Sequence, residues 1–189
     1  MSNERRRFLL QGVNSVALTL AFSVSGGTLM LTPAEARARE MALGRFSSTE
    51  GRMLSALAEG IVPGAAEAGV AHFIDHQLGV DPDDSLLIAK YFPVPHPYLD
   101  FYRRGLEAVD ALARRITGRP LLELDAAAIE PVIAALARPA AGSGETNLWL
   151  FYLCLRSDAV DVVYGTPRGF DHLGVPYMPH IMPPEGWNG

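Results

Sequence analysis

Residues 98–118 read YLDFYRRGLEAVDALARRITG, and the spacing of their apolar side chains decides the fold class. Leu99, Tyr102, Leu106, Val109, Leu112 or Ala113, and Ile116 recur at helical intervals and line one side of an α-helix. The arginine pairs Arg103-Arg104 and Arg114-Arg115 then fall on its solvated edge, and Gly118 ends it.

The neighbouring segments repeat the pattern. Upstream, Ser47 with Glu50 three residues later has capping-box spacing, and Met53, Leu54, Leu57, Ala58 and Ile61 follow at helical intervals until Pro63. Val70, Phe73, Ile74 and Leu78 share a second helical face. Asp83 or Asp84 is placed to cap a short helix through SLLIAKYF, residues 85–92. The prolines of PVPHP, residues 93–97, forbid a helix there. Downstream, Asp125 caps a helix in which Pro131 should make a kink or a second start, AAGSG is a turn or link, and the apolar run Asn147–Val163 is a core helix. No stretch alternates long enough to demand a sheet. These signals predict an all-α, bundle-like domain of about six helices over residues 47–165.

Both ends of the chain read differently. Thr166–Gly189 holds five prolines, too many for a helix, yet it is too apolar and aromatic for a solvated tail. It is predicted to lie extended on a surface, either its own helices or a partner chain. Phe170, Tyr177, Met178, Ile181 and Trp187, with Tyr164 just before them, are the side chains suited to anchoring on a partner.

At the other end, Arg5-Arg6-Arg7-Phe8-Leu9 precedes an uncharged stretch from Gln11 to Ala34, and TPAEARARE offers Ala34-Glu35-Ala36 and Ala36-Arg37-Ala38 as small-residue cleavage sequences. A basic start, an apolar middle and an alanine-x-alanine site describe an export leader over residues 1–38. Arg5 and Arg6 before Phe8 and Leu9 make it the twin-arginine kind, which exports folded proteins to the periplasm through the twin-arginine translocase. Ser, Thr and Gly dilute the apolar stretch too far for a membrane anchor. Whether such a leader is removed is open at this point.

Removing it leaves about 150 residues, one domain's worth. At 49% hydrophobic that domain can bury a core without covalent staples. A formal charge of −5 argues against a nucleic-acid surface. The single cysteine, Cys154, rules out an internal disulfide, a c-type haem attachment or a cysteine-ligated cluster built from this chain alone. Its apolar neighbours predict a buried, free thiol.

Catalytic patterns are thin. His72 and His76, four residues apart, share a helical face but lack a defined third metal ligand, and are read as a solvent-facing pair. His96, His172 and His180 sit near prolines without a nucleophile motif. No Gly-x-Gly-x-x-Gly follows a strand, so no Rossmann-type cofactor site is predicted. The reading assigns no catalytic, cofactor or metal residue to this chain.

Three blocks in order resemble one known family. LSALAEGIVPGAAEAGVAHFID (residues 54–75), GLEAVDALARRITGRPLLELD (105–125) and DVVYGTPRGFDHLGVPY (161–177) are similar to recurrent segments of the gluconate 2-dehydrogenase subunit 3 family. The last block carries Tyr164-Gly165 and Leu173-Gly174-x-Pro176. It departs from many members at Thr166-Pro167-Arg168, where they show a second glycine followed by asparagine. The resemblance implies a non-catalytic small subunit bearing the export signal. Its partner would be a large flavoprotein of the glucose–methanol–choline type, which holds FAD and the substrate and passes electrons to a cytochrome c or another acceptor. A stand-alone exported helical binding protein is the other class the residues admit.

Overall fold

The computed structural model describes residues 19–24, 27–139 and 147–175. Among them are seven α-helices and one two-stranded hairpin. Strands β1 (Leu20–Val24) and β2 (Gly27–Leu31) pair antiparallel, with Leu20 opposite Leu31 and Val24 opposite Gly27. Then come α1 (Pro33–Ala38), α2 (Ser48–Ile61), α3 (Val70–Gln77), α4 (Tyr98–Thr117), α5 (Ala126–Leu136), α6 (Leu148–Tyr164) and α7 (Pro167–His172). Two 3-10 turns, Ile88–Tyr91 and Leu121–Glu123, lie in the connections.

The helix boundaries follow from local chemistry. Ser47 and Glu50 form the capping box of α2, Asp125 accepts from the Ala127 and Ala128 amides to start α5, and Asn147 caps α6. Gly118 closes α4 in the left-handed conformation, φ 75°. Helix α6 is apolar nearly all round and therefore sits centrally, with Phe151, Cys154, Leu155 and Ala159 fully buried. The predicted stripe of α4 is buried at Tyr102, Leu106, Val109 and Ala113, and Tyr102 meets α6 directly. Tyr102 meets the rings of Phe46, Phe101 and Phe151 edge-on, an arrangement that suits the ring quadrupoles. Cys154 is buried in this core, as its neighbours predicted.

Several expectations need correction. Residues 20–24 and 27–31 form a two-stranded sheet although no sheet was foreseen. Its strands are only five residues each, too short for alternation to stand out. SLLIAKYF makes only the 3-10 turn, because its amides are taken by side chains: Leu86 N–H donates to Gln77 Oε1 and Ile88 N–H to Asp158 Oδ1. Pro131 lies inside α5 rather than starting a second helix. Ile116 is 40% exposed, since the end of α4 runs beyond the core. The proline-rich end also begins with a helix: Thr166 caps α7 and Pro167 occupies its first turn, where a missing N–H costs nothing. Arg103 is more than a solvated edge, for its Nε donates to Glu50 Oε1 at 2.8 Å and ties α4 to the capping box of α2.

Candidate functional site

The turn between α2 and α3 builds one wall of the site. Pro63 and Gly64 break α2, and the Glu59 carboxylate accepts from the Gly64 and Ala66 amides at 2.9 Å, fixing the turn. Gly69 then enters α3 at φ 82°, and a Cβ there would lie 2.1 Å from the Pro33 carbonyl oxygen. Only glycine allows α1 to approach this closely.

The opposite wall is the end of α6 and the start of α7. Gly169 lets α7 fold back on α6, since a Cβ would meet the Val163 carbonyl at 2.4 Å. Between the walls lies a cavity of about 780 Å³. Pro33 and Ala34 of α1, Pro63 and Ala68 of the turn, and Val163 and Tyr164 of α6 give it apolar sides. Glu35, Glu67, Arg168 and His172 also border it. Arg168 Nη2 reaches Glu67 Oε1 at 3.1 Å, joining α7 to the turn. Both side chains are largely in water, so the pair fixes little by itself.

Of the residues predicted to meet a partner, Tyr164 lines this cavity and packs against the core, and Phe170 is half-buried on α7. Tyr177, Met178, Ile181 and Trp187 lie outside the described residues, as do Arg5, Arg6, Phe8 and Leu9 of the export signal. The chain leaves α7 through Leu173 and Val175, 55% and 48% exposed, beside the cavity.

The histidine pair is not solvent-facing. His72 and His76 are both half-buried. His72 Nε2 lies 2.9 Å from the Met41 carbonyl, which can only accept, so the ring proton sits on Nε2. No group of three His, Cys, Asp or Glu side chains able to hold a metal ion occurs among the described residues. None of the described helices is long and apolar enough to cross a membrane.

Two buried carboxylates were given no role from the sequence. Asp75 accepts from the Gly44, Arg45 and Phe46 amides at 2.7–2.8 Å and binds the connector before α2 to α3. Asp158, 1% exposed in α6, accepts from Tyr102 Oη at 2.5 Å and from the Ile88 amide at 3.0 Å. Burial pushes its carboxyl up to about 7. A carboxylate in the middle of the apolar run 147–163, where Asp158 and Asp161 are the two acids, was the available signal for it. Both groups organise the core rather than a reaction site, since each is consumed by hydrogen bonds within the fold.

No curated protein and no solved structure is similar enough to this chain to count as a match. The family model described as gluconate 2-dehydrogenase subunit 3 matches residues 48–183, from the first turn of α2 past the end of α7. With that match covering well over half of its length, the chain belongs to the gluconate 2-dehydrogenase subunit 3 family.

Proposed function

We propose that this chain is the non-catalytic small subunit of an exported flavin-dependent sugar or alcohol dehydrogenase. It carries the twin-arginine address under which a folded flavoprotein of the glucose–methanol–choline type leaves the cytoplasm. The observation that carries the reading is the subunit-family match across the helical body. Arg5-Arg6-Arg7-Phe8-Leu9 before an uncharged stretch supports the address.

In this reading FAD and the substrate site belong to the partner, which passes electrons to a cytochrome c or another acceptor. This chain's residues bind and orient. The cavity beside Tyr164 offers apolar walls, and the chain beyond Val175 supplies Tyr177, Met178, Ile181 and Trp187 as anchors.

The test is co-expression of the tagged chain with a glucose–methanol–choline-type flavoprotein of the same genome that lacks its own export signal, followed by purification from the periplasm. A yellow complex with flavin absorbance is the expected result. A colourless chain that binds no flavoprotein would defeat the subunit reading. That outcome would favour a stand-alone binding protein, for which the 780 Å³ cavity has the size of a small-molecule site.

A further inference from the structure

We infer that the arm Leu20–Ala38 is a permanent part of the folded subunit, and that the chain is not cut at either alanine-x-alanine sequence. The inference rests on the export reading for the order of events and on the packing of the arm for the protection itself.

Both sequences, Ala34-Glu35-Ala36 and Ala36-Arg37-Ala38, fall inside α1. A peptidase that takes its substrate as an extended strand must first unwind them. Ala36, common to both, is fully buried. The helix start is pinned by a capping box, in which the Thr32 amide donates to Glu35 Oε2 at 2.8 Å and the Glu35 amide to Thr32 Oγ1 at 3.2 Å. Just beyond the helix, Met41 is held by His72 at 2.9 Å. The backbone of Pro33 lies so close to Gly69 that no side chain fits between them. The base of the hairpin is anchored as well, because the paired residues Leu20 and Leu31 are each 2% exposed.

A removable leader is ordinarily cut in an exposed, extended linker. Here the cut would need α1 to leave α3 and the hairpin to leave the core. The twin-arginine route moves a protein already folded, so the arm is packed before any peptidase on the far side meets it. Retention also has a structural consequence. Cutting after Ala36 would remove Pro33, Ala34 and Glu35 from the cavity wall, so the groove beside Tyr164 is complete only in the uncut chain.

The experiment exposes the purified full chain to bacterial signal peptidase in detergent micelles and reads products by intact mass, with a leader-bearing control protein alongside. The wild type is expected to stay uncut after the control is fully processed. Gly69→Val, which forces α1 off α3, should be cut after Ala36 or Ala38. The milder Thr32→Ala/Glu35→Ala variant, which loses the capping box, should be cut at least about fivefold faster than wild type. A new N-terminus at Arg37 or Arg39 in the wild type, in the micelles or in exported protein, would overturn the inference. Equal resistance of wild type and both variants would overturn it too, since packing would then not be the cause. Failure of the chain to leave the cytoplasm would defeat the export reading alone and leave the peptidase result standing.

Discussion

The Tyr102 hydroxyl donates to Asp158 Oδ2 at 2.5 Å, joining α4 to α6 at the centre of the bundle. Asp158 Oδ1 meanwhile takes the Ile88 amide, so one carboxyl fixes two helices and the connection between α3 and α4. The arrangement is costly when charged. Burial raises the Asp158 carboxyl to about 7, and the same burial, with the nearby carboxylate, raises the Tyr102 phenol well above its usual range.

A pH dependence of stability follows with a definite sign. The folded chain holds the Asp158 proton more tightly than the unfolded chain, whose carboxyl titrates near 3.8. Stability from this group is therefore full below about pH 4, is lost as pH rises towards 7, and is flat above that. Asp158→Asn should remove this slope, gaining on wild type by a few kcal/mol, as an order of magnitude, between pH 4 and 8. Urea denaturation of both proteins across that range checks it, and parallel curves would refute the assignment. Tyr102→Phe should cost about 1–3 kcal/mol at pH 8 by leaving Asp158 Oδ2 without its donor.

At Gly105, α4 packs tightly against Phe151 of α6. A Cβ at this position would lie 2.3–2.6 Å from three atoms of the Phe151 ring, which is itself fully buried. Alanine is the better helix former by up to about 1 kcal/mol, yet overpacking a rigid core costs about 1–3 kcal/mol. Gly105→Ala should lower the thermal midpoint. A rise would show that Phe151 can move aside.

Cys154 should resist modification while the protein is folded. Burial pushes its thiol up to about 12, so the reactive thiolate is scarce near neutral pH. Labelling with a thiol reagent should proceed only as fast as the core opens, and should be complete in denaturant. A band at the summed mass of chain and flavoprotein on a non-reducing gel, lost with reductant, would contradict this.

The partner anchors are best tested beyond α7. Truncation after Val175 leaves every described helix intact, whereas truncation after Gly165 would remove α7. The shortened chain should keep its helical circular dichroism and lose the flavoprotein on dilution. Trp187→Ala alone should weaken the complex by about 2 kcal/mol or more if that ring is a central anchor. Full retention of the flavoprotein after truncation would place the contact elsewhere.

The address is separable from the anchors. Replacing Arg5, Arg6 and Arg7 by lysine should hold both this chain and the flavoprotein in the cytoplasm, as read by fractionation. Normal periplasmic flavin absorbance in that variant would rule out export of the partner on this chain's signal.

The sequence by itself determined the helical class and most helix limits. These rest on interactions between residues three or four apart, such as Ser47 with Glu50, Asp125 with the next two amides, and the α4 stripe from Tyr102 to Ala113. It also determined the burial of Cys154, through the apolar neighbours on the same helix. Only the tertiary structure decided that α1 packs against the start of α3, because Gly69, which receives Pro33, lies more than thirty residues away in the chain. The same holds for Asp158, whose partners Tyr102 and Ile88 are 56 and 70 residues distant. It holds again for the cavity, whose walls come from three separate stretches of the chain. Local spacing records what a residue does to its own turn of helix. Which distant surface receives it depends on how the helices pack, and no short pattern encodes that.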